Sequence, residues 1–160
     1  VTAFFRKTCR APLVVDPVFI STSGRRLLQS DGVKTLQREL LPLAALVTPN
    51  LAEAEVLTGK KIREIEDLRA AAADIRKLFG CAALVKGGHF PGTSEAVDFL
   101  CCDEGEWLLA APRARASGLH GTGCTYSAAI AAWLARGRSI RKSVELAKKY
   151  ITEAIHLSVA

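Results

Sequence analysis

Residues 44–59 read AALVTPNLAEAEVLTG and change character twice. The first part, AALVT (44–48), is a short apolar run of the kind that forms a strand buried on both faces. Pro49-Asn50 turns the chain. LAEAEVLTG then has the composition of a short helix, closed by Gly59. A buried strand that passes through a tight turn into a helix is the repeating unit of parallel α/β sheets.

The same alternation continues outward on both sides. Upstream, PLVV (12–15) predicts a strand stopped by Asp16-Pro17-Val18. DGVKTLQRELL (31–41) has helical spacing, with Val33, Leu36, Leu40 and Leu41 on one side, Asp31 at its start and Pro42 at its end. Downstream, EDLRAAAADIRKLF (66–79) predicts an amphipathic helix ended by Gly80. CAALVK (81–86) predicts a third apolar strand running into Gly87-Gly88. The period then changes. EAVDFLCC and EWLLAAP flank Asp103-Glu104-Gly105 and predict a β-hairpin. A glycine-rich loop, GLHGTGC (118–124), opens a helix over roughly 122–136, and a last helix covers roughly 140–157. The pattern predicts one α/β domain with a mostly parallel sheet.

Composition narrows the function classes. The chain has 160 residues, enough for one domain with a real core, and no apolar run long enough for a membrane span. No secretory leader pattern opens it, so a cytoplasmic protein with no membrane partner is expected. The net charge is +6, yet the basic residues are scattered and lack interleaved aromatics, which argues against nucleic acid. Five cysteines, with no CxxC pair, fit a reducing compartment. The chain starts at Val1 and contains no methionine, which predicts a processed product or a fragment.

In parallel sheets, ligands sit beyond the carboxyl ends of the strands. Asp16-Pro17, Thr48-Pro49-Asn50 and Lys86-Gly87-Gly88 fall at such ends. The glycines of GLHGTGC let backbone N–H groups approach an anion, and a helix N-terminus adds free donors and partial positive charge. The other reading is a tight turn that needs glycine for packing. The loop is neither a Walker A sequence nor a dinucleotide fingerprint. Cys124, in the first helical turn, is expected to have a lowered pKa and to serve as a base, or else to be a small buried residue. Asn50 and Glu53 suit a helix cap, or an amide and a carboxylate near hydrated Mg²⁺ and phosphates. Lys86 suits a phosphate contact or a solvated strand end. Asp16 suits a metal ligand or an Asp-Pro turn. His89, His120 and His156 are too isolated to suggest a metal.

Together VVDPV (14–18), SGRRLL (23–28), LLPLAALVTPNLAEAEVLTG (40–59), LVKGGH (84–89), EAVDFL (95–100), HGTGCTYSAAIAAWLARG (120–137) and AKKYITEAI (147–155) resemble the ribokinase-like superfamily. More closely, they resemble the C-terminal part of the hydroxymethylpyrimidine/phosphomethylpyrimidine kinases of thiamine biosynthesis. Sugar kinases of the superfamily carry aspartate where this sequence has Cys124. The resemblance implies a three-layer αβα sandwich whose N-terminal strands are missing from this chain. It implies transfer of the γ-phosphoryl of ATP to a hydroxymethylpyrimidine and then to its monophosphate, with Mg²⁺. It implies that Gly121, Thr122 and Gly123 form an anion hole and that Cys124 takes the base position. Asn50 and Glu53 would organise Mg²⁺ and phosphates, and Lys86 would contact phosphate. Asp16 would stand near metal and substrate, and Lys148 near the nucleotide. Family members are often dimers. The family's N-terminal glycine-rich segment and pyrimidine-holding glutamine have no counterpart here, and its lysine after DPV is replaced within Ile20-Ser21-Thr22-Ser23. Two alternatives stay open: a pyridoxal-type kinase, and a non-catalytic nucleotide-binding fragment.

Overall fold

The computed structural model describes residues 1–7, 11–20, 25–88, 90, 93–113 and 121–158. Expectations that fall on Ser21–Ser23, His89 and residues 118–120 therefore lie outside the described residues.

Among the described residues, five strands form one sheet in the order β1 (Val14–Val15), β2 (Leu46–Val47), β3 (Ala82–Lys86), β4 (Glu95–Cys102), β5 (Gly105–Pro112). The first three are parallel, and the hairpin adds two antiparallel strands at one side. Flanking residues extend the β1–β2 pairing: the Ala45 amide donates to Leu13 O (2.8 Å) and the Thr48 amide to Val15 O (3.0 Å).

Strand alternation divides the core into two layers. Val47, Ala83, Val85, Val97 and Phe99 face one side. There they pack with Leu57 of α3 (Leu51–Thr58) and with Leu68, Ala72 and Ile75 of α4 (Ile65–Phe79). Leu46, Ala82, Leu84 and Leu100 face the other side. They pack with Tyr126 and Ile130 of α5 (Thr122–Ala135) and with Val144, Ala147 and Ile151 of α6 (Ile140–Leu157). Central strands are apolar on both faces because helices cover both. The result is the αβα sandwich that the resemblance implies, built on a mixed sheet with two parallel and two antiparallel pairings rather than a mostly parallel one, because the hairpin supplies two of the strands. No helix among the described residues is long and apolar enough to cross a membrane.

Three local features depart from the sequence expectation. A short helix, α1 (Thr2–Lys7), precedes β1 and was not foreseen. The predicted helix over 31–41 is α2 (Ser30–Thr35), which continues as a π-helical turn (Leu36–Leu40) and a tight 3₁₀ turn (Leu41–Leu43). Pro42 is the cause: it has no N–H to continue the ladder, and its ring would press on the carbonyl four residues back. The Leu41 amide reaches Leu36 O instead, and the Leu41 side chain is fully buried. Asp31 does not cap α2. The cap position is Gln29, and Asp31 lies within the first turn, 3.8 Å from Lys34.

Candidate active site

The turn after β2 is built by reciprocal capping. The Glu53 amide donates to Asn50 Oδ1 (2.9 Å), and the Asn50 amide donates to Glu53 Oε2 (2.9 Å). The capping reading of this pair therefore holds, and Glu53 does more than cap. Its side chain is 1 % exposed, and its Oε1 accepts the Phe19 and Ile20 amides (3.2 and 3.5 Å). Asn50 Nδ2 donates to Ile20 O (3.2 Å). Asn50 and Glu53 thus tie the end of β2 to the segment that follows Asp16. Burial raises the Glu53 carboxyl above its ordinary value, against the backbone hydrogen bonds from Asn50 and Ile20 and the charge of Lys86.

Asp16 and Lys86 come from the ends of β1 and β3 and meet. Lys86 Nζ donates to Asp16 Oδ1 at 2.7 Å, and both side chains are largely buried. Thr48 Oγ1 donates to the same oxygen at 3.2 Å. Asp16 Oδ2 is buried and makes no hydrogen bond of ordinary geometry. Lys86 is therefore not a solvated strand-end lysine.

The first turn of α5 closes over this pair. Gly121 stands at the N-cap in the left-handed region (φ 86°), a conformation glycine adopts without steric cost. Gly123 lies directly against Lys86: a Cβ there would come within 3.2 Å of Nζ. The helix start is pinned below by Ser127, whose Oγ lies 2.8 Å from Thr48 Oγ1 and donates to Gly123 O (3.1 Å). The start of α5, whose first amides have no acceptor within the helix, thus lies against a lysine ammonium, with Gly123 leaving room for the Lys86 side chain. Such an arrangement suits an anion. Thr48 stands in the strand-end segment that the sequence marks, but Ser127 has no sequence signal, since an isolated hydroxyl residue carries no spacing.

Cys124 is exposed, unlike Cys81, Cys101 and Cys102. Its thiol is not acidified. It sits close enough to the Asp16 carboxylate for a weak S–H interaction, and this holds its pKa above the ordinary thiol value. Partial burial and the Asp16 charge act in the same direction, while Lys86 opposes them. The thiol pKa is thus raised, not lowered as its place at a helix start predicts: the nearby Asp16 carboxylate outweighs the partial charge of the helix end. Thiolate is then scarce at neutral pH and grows as pH rises. Alkylation of Cys124 by iodoacetamide, without nucleotide or divalent cation, is expected to accelerate about tenfold per pH unit between 7 and 9. A rate already at its plateau at pH 7 would contradict this.

Lys148 does not join the cluster. It projects from α6 to Asp98 of β4 (Nζ–Oδ2 2.6 Å) and to Ala96 O (2.9 Å). Asp98 lies opposite Lys86 in the β3–β4 register. A carboxylate inside the apolar run EAVDFLCC was the available signal for Asp98, and the hairpin reading passed over it. Gly87 is held against β4 so closely that a Cβ would collide with Val97 O. Gly87→Ala is expected to cost about 1–3 kcal/mol, from forced backbone displacement in a packed sheet. Urea denaturation checks this, and an unchanged midpoint would refute it.

Among the described residues, no three carboxylate, thiol or imidazole groups converge as a ready-made metal cage. The residues present still fit Mg²⁺, which commonly takes one or two carboxylates plus waters and phosphates. Asp16 Oδ2, a buried oxygen without an ordinary partner, is the candidate ligand. Glu53, committed to three backbone amides, suits contact through water.

The chain is 45% identical over 145 residues to the hydroxymethylpyrimidine/phosphomethylpyrimidine kinase of Streptomyces coelicolor, covering 91% of this chain and 53% of the relative. The crystal structure of phosphomethylpyrimidine kinase from Clostridium difficile matches with a TM-score of 0.81 and 39% identity, covering 96% of this chain and 62% of that one. A pyridoxal kinase from Staphylococcus aureus in complex with AMP-PCP and pyridoxal matches with a TM-score of 0.81 and 34% identity, covering 91% and 52%. The chain spans about half the length of the curated relatives it matches. The family model for phosphomethylpyrimidine kinase matches residues 1–160, and the chain belongs to that family.

Proposed function

We propose that this chain is the nucleotide-side part of a single kinase domain. The whole protein transfers the γ-phosphoryl of ATP to the hydroxymethyl group of 4-amino-5-hydroxymethyl-2-methylpyrimidine and then phosphorylates the monophosphate, in thiamine biosynthesis. The observation that carries this is the meeting of Asp16, Lys86 and Cys124 at the glycine-rich start of α5. Phosphoryl transfer needs little more than such positioning and charge neutralisation.

In this proposal the amides of Gly121, Thr122 and Gly123 receive the transferring phosphoryl group at the α5 start. Lys86 neutralises its oxygens, moving from Asp16 when the nucleotide arrives. Cys124, as thiolate, accepts the proton of the substrate hydroxyl. That oxygen bonds to the γ-phosphorus while the bond to the β,γ-bridging oxygen breaks, and ADP leaves. Asp16, with Glu53 through water, would hold Mg²⁺, which supplies charge neutralisation at the phosphate oxygens. Asn50 and Glu53 keep the Asp16 segment in place. The protein would be cytoplasmic and dimeric, acting on small molecules rather than on nucleic acid or a membrane.

The pyridoxal-type reading draws on the pyridoxal kinases among the structural neighbours. A kinase assay with MgATP across the hydroxymethylpyrimidine, its monophosphate and pyridoxal separates the two. Turnover of the pyrimidines well above that of pyridoxal is expected. Preferred turnover of pyridoxal would overturn the substrate assignment, and nucleotide binding without turnover of any acceptor would favour a non-catalytic fragment.

A further inference from the structure

The Lys148–Asp98 pair lies apart from the Asp16–Lys86–Cys124 cluster but touches the same strand end. Asp98 is 3 % exposed and Lys148 8 %. Buried ion pairs of this kind are weak contributors to stability, because desolvation offsets most of the attraction. Its placement therefore calls for another explanation. The two Asp98 oxygens serve different parts of the fold. Oδ2 accepts from Lys148 of α6 (2.6 Å), and Oδ1 accepts from the Gly88 amide (3.4 Å) in the turn after Lys86. Gly88 has a left-handed φ of 46°, and Gly87 beside it abuts Val97 O. The turn leaving β3 is thus seated on β4 at Val97-Asp98. Lys148 also lines a groove of about 520 Å³ between β5 and α6, with Trp107, Thr152 and a second lysine, Lys149, set among the carboxylates Glu145 and Glu153.

We propose that Asp98 is a positioning residue for nucleotide binding: its carboxylate holds the Lys148 ammonium at the groove and the Lys86-Gly87-Gly88 turn in one fixed relation. This rests on the nucleotide-side reading above. Asp98 itself touches no ligand in this scheme. It acts through Lys148 and through the Gly88 amide. Its loss frees both, and an anionic nucleotide then meets a cation and a turn that are no longer set.

The test is MgADP binding to the 160-residue chain by calorimetry, alongside thermal melting. Asp98→Asn is expected to raise the Kd about tenfold or more. Asp98→Glu keeps the charges balanced while displacing the carboxylate; it is expected to keep the fold, as melting checks, and to weaken binding severalfold. In Asp98→Asn/Lys148→Met neither charge is left unpaired, so the melting temperature is expected to recover towards wild type while the affinity stays low. A purely structural pair predicts the opposite: affinity that recovers with the melting temperature. Recovered affinity in the double variant, or wild-type affinity in the folded single variants, overturns the proposal alone. No MgADP binding by the wild-type chain overturns the nucleotide-side reading and the proposal with it.

Discussion

Replacing Cys124 by alanine in the active enzyme is expected to lower turnover about 10²–10⁴-fold, the range for a positioned general base, while leaving nucleotide affinity within about twofold. The split follows from placement. The thiol is exposed at the second turn-forming position after Gly121-Thr122, beside Asp16, whereas the groups suited to phosphate are backbone amides and Lys86. Removing sulfur takes away none of these. Stability is expected to change little, because Cys124 is not part of the core. The raised pKa adds a second signature. Thiolate is the competent form, so wild-type turnover should climb with pH from neutrality, and the alanine variant should lose that climb. Steady-state kinetics between pH 6 and 9 read both, and undiminished turnover in Cys124→Ala would remove the base role.

Lys86→Met is expected to abolish detectable phosphoryl transfer and to destabilise the fold by about 3 kcal/mol, the lower end for breaking a buried pair. The lower end applies because the side chains keep 12 and 15 % exposure. The loss of activity arises from the missing phosphate cation. The loss of stability has a different origin. Asp16 would be left with Thr48 as its main donor, with Oδ2 already lacking an ordinary partner. The double variant Asp16→Asn/Lys86→Met should recover most of the stability and none of the activity. Urea denaturation and a kinase assay on both variants make the comparison. A fully stable, inactive Lys86→Met would show that the ion pair contributes nothing to folding. A stable, active one would remove Lys86 from the mechanism.

The strand–turn–helix units were legible because each is a local pattern. AALVTPNLAEAEVLTG shows its strand, its cap pair and its terminating glycine within one stretch, and the hairpin shows its change of period. The π-helical turn before Pro42 was not legible, because helix spacing runs through it and only the missing amide shifts the ladder. The site was legible in part. Asp16, Lys86 and Cys124 each stood at a strand end or helix start, which is where such sheets gather ligands. The Cys124 pKa was misjudged because the decisive neighbour lies far away in sequence, at the end of β1. Asn50 and Glu53 were read correctly as a cap, yet their grip on Phe19 and Ile20 is a long-range contact with no local signature. The Asp98–Lys148 bond joins residues 50 positions apart and was invisible for the same reason, although the carboxylate inside EAVDFLCC marks Asp98 itself.

The central claim is that the glycine-rich start of α5 and Lys86 together receive a nucleotide's phosphates. A crystal structure of the chain with Mg²⁺ and AMP-PCP tests it most directly. The account predicts the terminal phosphate within hydrogen-bond distance of the amides between Gly121 and Cys124, with Lys86 Nζ drawn from Asp16 to a phosphate oxygen. A nucleotide bound elsewhere, with the Lys86–Asp16 pair still closed at its 2.7 Å, would contradict it.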